Sequence, residues 1–476
     1  MKQKFLLAVC CFICVFSCGS TSSAIADEPL VAGSKEYIVF LDLTRLVNTS
    51  AADHDAVVSL WETMHFTATL QGIVNRDRPR LYIDYVNTEG TDVDRFWWEK
   101  CVGDGKWLQG KEVLRMTDPV KALEYFKDEI RGMVVYDPAV ASTSNVASTV
   151  AGAENLVAVR WSDQPGSLYS RLLKAGIEAK VSLVNEDGSS RFTSKIAPYQ
   201  WALDNYLRKG LCSKEFAANY PDQFWISCAG NAAMNHHQLS NHDFFVSQKA
   251  FFFDLSPWED EPATDSPGAA AGEDRMMLRN ILHTIWALNK GENFCYVGGF
   301  PAWAYKYPNF RSVGGSHSPV ATEWEYARVL SAYNAFKDAD AISYGAMANA
   351  SFWQHYPLKD EYPQKWVTRD ELRQRGLLDS SGKVVRDRKY MLFYVGDFDA
   401  ASWIYQKMPS LWEDSSRGEV PMMWCINPNL CRRAPMVMDY LRSTATDADY
   451  FAAGDNGAGY LNPGMLEEPR PDRKSV

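Results

Sequence analysis

The sequence predicts an α/β fold, with open α/β domains in the N-terminal part followed by a β/α barrel-like C-terminal domain. Two observations carry that prediction. From Tyr37 to about Trp161, short apolar runs of strand length alternate with amphipathic helical stretches. After Val320 the rhythm returns as three strand-loop-helix units spaced by about thirty residues, the length of a βαβ repeat.

The elements follow in order. Met1-Lys2-Gln3-Lys4 is a short basic segment, and Phe5 to Phe16 is an apolar run too short to span a bilayer. Ala24-Ile25-Ala26 then offers a cleavage site, so residues 1–26 read as a signal peptide and the chain as exported. Val15-Phe16-Ser17-Cys18 resembles a bacterial lipobox that would anchor the chain through Cys18. Phe16 fits that box poorly, and cleavage after Ala26 is favoured.

Residues 36–162 form the first predicted α/β domain. Tyr37–Leu41, Arg80–Ile83, Glu112–Leu114, Met133–Tyr136 and Leu156–Val159 read as strands, His54–Ile73 as a helix and Pro119–Ile130 as an amphipathic stretch. Asp137 and Ser142–Ser144 follow a strand end, a place where parallel sheets bind ligands, although helix capping is the favoured use of these residues. Two smaller domains are expected at 163–230 and 231–319. Within them Pro198–Arg208 and Met276–Leu288 read as helices, Ala250–Leu255 and Phe294–Val297 as strands, and the acidic stretch Glu259–Asp274 as a loop.

The last domain, 320–476, opens with an expected helix over Glu323–Asp338 and a strand over Ala341–Ala346. Thr368 and Glu371 form a capping box. Strands at Tyr390–Val395, Pro421–Ile426 and Asp449–Ala453 each run into a polar loop: GDFD, NPN and GDNGAGY. About four strands follow Val320, against eight in a closed barrel, so either the chain is truncated or earlier strands complete the sheet.

Composition narrows the function. The net charge is −10, becoming −12 once Lys2 and Lys4 leave with the leader, and there is no basic stripe. Nucleic acid and anionic membrane surfaces are disfavoured as partners. Six cysteines remain after the leader (Cys101, Cys212, Cys228, Cys295, Cys425, Cys431), with no C-x-x-C pair, so buried thiols are expected. His236, His237 and His242 lie close together, but no zinc-protease spacing accompanies them. No metal or other cofactor is called for. Sixteen tryptophans are a weak hint of sugar stacking.

In β/α folds the loops at C-terminal strand ends converge on the active site. Here those ends offer Asp397 and Asp399, then Asn427 and Asn429, then Asp455 and Asn456. Asp397 and Asp455, two strands apart, would have backbones roughly 10 Å apart, which suits an acid/base carboxylate pair for glycoside hydrolysis. Asp399 is the substitute for either. Asn427, Asn429 and Asn456 would bind sugar hydroxyls, and Tyr460 would close the site or stack on a ring. Trp424 alternates with Met423 and Cys425 along its strand and reads as core. The glycines of GDNGAGYLNPGM lack the Lys of a P-loop, and Pro463 stands where a dinucleotide fingerprint would open a helix.

Gly457-Ala458-Gly459-Tyr460-Leu461-Asn462-Pro463 resembles the motif that names the GxGYxYP family of glycoside hydrolases from Bacteroides-type bacteria, with Asn462 in place of a Tyr. The resemblance extends through YVGDFDAASWIYQKMPSLWED, RGEVPMMWCINPNL and TLQGIVNRDRPRLYI. It implies an exported protein with small N-terminal α/β domains, a barrel-like C-terminal domain, and an oligosaccharide or polysaccharide substrate. A glycan-binding surface protein without catalysis is the alternative.

Overall fold

The computed structural model describes residues 37–48, 53–85, 92–227, 239–301, 306–309, 314–339, 349–454 and 459–468. Its strands form four small sheets, and every strand pairing within them is parallel.

The first sheet has the order β2-β1-β3, with β1 at Ile38–Asp42, β2 at Leu81–Asp84 and β3 at Val113–Met116. Helices α1 (His54–Val74), α2 (Val93–Cys101) and α3 (Pro119–Tyr125) connect and flank it. Each starts on an aspartate whose carboxylate accepts a first-turn N–H: Asp53 from Ala56 at 3.0 Å, Asp92 from Arg95 at 3.3 Å and Asp118 from Val120 at 2.9 Å. From Met64 to Val74 every residue of α1 is buried, so this helix is packed on all sides rather than on one stripe.

The second sheet, β5-β4-β6, is made of β4 (Gly132–Tyr136), β5 (Leu156–Arg160) and β6 (Ala179–Ser182), with α4 (Thr143–Glu154), α5 (Leu168–Lys174) and α6 (Ile196–Ala202). The third, β10-β9-β7-β8, has β7 at Phe216–Asn219, β8 at Phe251–Phe253, β9 at Cys295–Gly299 and β10 at Ala335–Lys337. Its helices are α7 (His242–Ser247), α8 (Glu273–Asn289) and α9 (Pro319–Ser331). The short helices α10 (Ala350–Trp353) and α11 (Arg369–Gln374) lead to the last sheet. That sheet is β11-β12-β13, from β11 (Tyr394–Phe398), β12 (Met422–Ile426) and β13 (Asp449–Ala453), with α12 (Ala401–Trp412) and α13 (Pro435–Ser443) in the crossovers. Among the described residues no sheet closes into a barrel.

Strand alternation sends β1 into two cores. Val39 and Leu41 join α1 and the second and third sheets in the larger core. Ile38 and Phe40 point the other way, into a smaller core with α2, Trp353, α12, α13 and Trp424.

Two expected boundaries are corrected. The helix expected over Glu323–Asp338 stops at Ser331, because Asn334 adopts a left-handed conformation (φ 53°) and Ala335–Lys337 turns into strand β10. The strand expected at Tyr390 begins at Tyr394, the first residue in register with β12; Tyr390, Met391 and Leu392 are exposed. Strands β6 and β7 have no counterpart in the sequence reading. The expected strand over Ala341–Ala346 lies outside the described residues. The capping box of Thr368 and Glu371 is present. Cys101, Cys212, Cys295 and Cys425 are buried free thiols and Cys431 is an exposed one; burial pushes the first three up to about 12. Among the described residues no helix is long and apolar enough to cross a membrane.

Candidate functional site

The loop after β13 does not stay with its own sheet. Tyr460 forms an antiparallel bridge with Lys337 of β10, through Lys337 N to Tyr460 O at 3.2 Å and Tyr460 N to Lys337 O at 3.0 Å. Gly459 makes this approach possible. Its φ is +98°, and a Cβ there would stand 2.6 Å from Lys337 O and 2.8 Å from Phe336 Cδ2. Asn462 then holds the turn. Its N–H donates to Ser331 Oγ at 2.8 Å, and its side chain accepts from Gly464 N at 3.2 Å. Further on, Asn334 and Glu467 exchange two hydrogen bonds. The loop thus ties the last sheet to the end of the third.

A groove of about 510 Å³ opens beside this junction. Its walls are Glu323, Trp324 and Ala327 of α9 and Gly459 to Pro463 of the loop. Trp324 leaves 74% of its surface to solvent, on the face of α9 opposite buried Tyr326, Val329 and Leu330. Beneath it, the buried Lys337 ammonium sits 3.4 Å from the centre of the Phe300 ring and 4.4 Å from that of Tyr460, with Glu323 Oε1 at 3.3 Å. Cation–π contact and an ion pair both hold it there. The Tyr460 hydroxyl donates to Asp399 Oδ2, just past the end of β11. Ends of β9, β10 and β11 therefore meet at one place.

The predicted site residues divide. Asp399 and Tyr460 are together, as above. Asp397 lies within β11, one residue before its end. Asp455 and Asn456 lie outside the described residues. Asn427 and Asn429 are buried, and Asn427 Oδ1 accepts from Asn429 N at 3.0 Å to cap a short 3₁₀ turn. Asn427 Nδ2 is buried without a hydrogen-bond partner among the described residues, beside the point where Gly454 leads into the loop. Trp424 is core, its indole N–H donating to Asp449 Oδ1 at 2.9 Å. Glu323, Trp324 and Lys337 were missed by the sequence reading. The signal available was a tryptophan on the polar face of an amphipathic helix.

Two other polar clusters lie away from the groove. His242 and His65 share Ser148 Oγ, at 2.9 and 2.7 Å, with their rings 5.3 Å apart. Burial lowers both, His65 to about 3, so these are neutral imidazoles. His236 and His237 lie outside the described residues. Where β7 and β8 end, Asp222, Asp254 and Asp265 bring oxygens within 4.8 Å of one another, close enough to hold a metal ion. The Lys306 ammonium occupies that role. It contacts Asp254 and lies 2.9 Å from Asp265 Oδ2 and 3.7 Å from Asp222 Oδ1. Lys195 adds a second cation, 2.8 Å from Asp265 Oδ1 and 2.5 Å from Asp274 Oδ2. Burial pushes Asp222 up to about 7 and Asp274 to about 6. For Asp265, the two ammoniums outweigh burial and hold the carboxyl below its usual value.

Residues 387–474 match the family model described as "GxGYxYP putative glycoside hydrolase C-terminal domain". Residues 130–211 match "GxGYxYP_N second domain". In three dimensions the chain is similar to "a putative hydrolase from Bacteroides thetaiotaomicron VPI-5482", with a TM-score of 0.59 and 17% identity over 93% of this chain and 68% of that one. At that identity the likeness is one of fold. No curated protein matches the chain.

Proposed function

We propose, from the matches of residues 130–211 and 387–474 to GxGYxYP family models, that the chain is an exported glycan-processing protein whose substrate lies in the groove between α9 and the Gly459–Pro463 loop. The observation that carries this reading is Trp324. A flat, exposed indole lining an open groove is what a sugar ring stacks on, its apolar C–H face against the ring and its hydroxyls toward the side-chain acceptors of Glu323 and Asn462.

Hydrolysis of a glycosidic bond needs one protonated and one ionised carboxyl group flanking the bond. Asp397 and Asp455 are the proposed pair, with Asp399 as the substitute for either. Tyr460 holds Asp399 in place and stacks beside Lys337. Asn427, Asn429 and Asn456 are the proposed hydroxyl ligands, Asn427 through its unused amide. Export rests on the leader at residues 1–26.

A second reading, binding without cleavage, has its own support. Glu323 is paired with Lys337, and Asp399 with Tyr460, so both described carboxylates at the groove are engaged. A panel of polysaccharides separates the two, with affinity and reducing-end release measured on the same protein. Trp324→Ala is expected to lower glycan affinity about tenfold or more, the loss of one stacking platform. Unchanged affinity would remove the groove from consideration. Release that disappears in Asp397→Asn and Asp455→Asn establishes hydrolysis; affinity with no release in the wild type establishes binding alone.

A further inference from the structure

A separate crevice of about 320 Å³ lies between the second and third sheets, where β4 ends. One wall is Ala139 to Ser142, the turn from β4 into α4. The opposite wall is Phe192 to Lys195, ahead of α6, with Phe224, Asp265 and Ser266 closing the floor. Neither the groove nor the family match accounts for these residues as a site.

We propose that this crevice is a second binding site, for a neutral polyhydroxylated molecule the size of one sugar unit.

Three observations support it. The first is Ser142. It is fully buried at the N-cap position of α4, yet its hydroxyl makes no capping bond and has no partner among the described residues. A buried hydroxyl without a partner costs free energy on the order of 1–3 kcal/mol, and a ligand hydroxyl in the crevice would recover it.

The second is Lys195 with Asp265. These side chains are 6% and 1% exposed, and both line the crevice. Lys195 donates to Asp265 Oδ1 and to Asp274 Oδ2. An ammonium has three N–H groups, so one remains to donate. A carboxylate has about four acceptor positions, and Asp265 meets Lys195 and Lys306 with two of them. The pair therefore offers a donor and an acceptor side by side while its charges cancel. That combination suits a neutral ligand with hydroxyls and disfavours an ion.

The third is aromatic. Phe192 and Phe224 are both half-buried and line the same crevice, giving apolar surfaces for the C–H face of a ring. The volume is near the lower end of small-molecule pockets, roughly 300–1,000 Å³, so it admits a single sugar unit rather than a chain.

The test uses the full chain and four probes: glucose, galactose, xylose and mannitol. Binding is followed by saturation-transfer NMR and calorimetric titration. At least one probe is expected to bind. Thr193→Trp is designed to fill the crevice mouth; Thr193 is exposed, so the fold is retained. It should weaken binding about tenfold or more when made in a Trp324→Ala background, where the groove no longer contributes to sugar binding. No binding of any of the four probes overturns the proposal. So does undiminished affinity when Thr193→Trp is added to Trp324→Ala, or loss of all binding in Trp324→Ala alone, which would place the bound sugar in the groove. Because the two variants act at different places, failure of the crevice and failure of the groove are read separately.

Discussion

Asp243 shows how one buried side chain sets a pH response. It is fully buried on α7, and its Oδ2 accepts from Ser351 N at 2.7 Å, while Oδ1 is without a partner among the described residues. Burial raises its carboxyl to about 6, although the hydrogen bonds to Ser351 pull the other way. The folded value lies above the unfolded one, so the folded state holds the proton more tightly. The resulting stability is complete below about pH 4 and is lost as pH rises through about 6. Asn at this position can still accept from Ser351 N and has no charge to bury. Asp243→Asn should therefore gain on the wild type by roughly 1–2 kcal/mol between about pH 4.5 and about pH 8. Thermal denaturation of both proteins at the two pH values measures it; an equal difference at both would show that Asp243 is not the titrating group. At the same scale, half of the candidate site was legible in the sequence. Tyr460 and Asp399 stand out because they sit in strand-end loops. Trp324 and Lys337 belong to α9 and β10, and only the crossing of the Gly459 loop onto β10 brings them there. Long-range approach of this kind leaves no local pattern. Asn427 and Asn429 looked alike in sequence, yet one caps the other.

Elements with strong local signals were legible, and those shaped by tertiary contact were not. Helix α1 and strands β1, β4, β5, β12 and β13 fall where apolar runs and turn residues placed them. Strand β6 is largely exposed and polar, Ala179-Lys180-Val181-Ser182, so no apolar run marks it. Strand β10 sits at the end of what reads as one long helix, and the break depends on the left-handed Asn334. Packing between elements gives a sharper case at Gly72 in α1. A Cβ there would overlap Asp243 O and stand 2.7 Å from Val246 Cβ on α7. At Gly152 of α4 a Cβ would stand 2.8 Å from Val246 O. The two glycines let α7 lie between α1 and α4. Alanine is the better helix former, so Gly72→Ala on an open helix would stabilise by somewhat under ~1 kcal/mol. Here backbone stands in the way, and overpacking should win, with a net loss of about 1–3 kcal/mol. Chemical denaturation of Gly72→Ala decides the sign; a gain in stability would mean that α1 and α7 can separate freely.

The whole molecule depends on how the last sheet is held. Its contact with the first sheet runs through aromatic side chains of α2 and α12 in the smaller core. Trp97 is fully buried, and its indole N–H donates to Tyr405 O at 2.7 Å. The Tyr405 hydroxyl donates to Asp94 Oδ1 at 2.7 Å and lies 3.1 Å from the Tyr82 hydroxyl on β2. Asn349 also reaches Asp94, at 3.3 Å. On the other side, the buried Arg433 after β12 pairs with Asp338 at 3.0 Å and donates to Ala339 O at 3.1 Å, just past β10. The groove lies where these attachments bring the strand ends together, so its geometry depends on both. Removing the indole takes away a large buried surface and one hydrogen bond from the first attachment while leaving the second. Trp97→Ala should cost about 3–5 kcal/mol, and the loss should fall on the attachment of the last sheet rather than on the larger core. Hydrogen exchange is the measurement. Amides of β11, β12 and β13 should lose protection in Trp97→Ala, while those of β4 and β5 keep theirs. Uniform loss across all four sheets would show instead that the molecule unfolds as one unit, with the aromatic contact no more local than the rest.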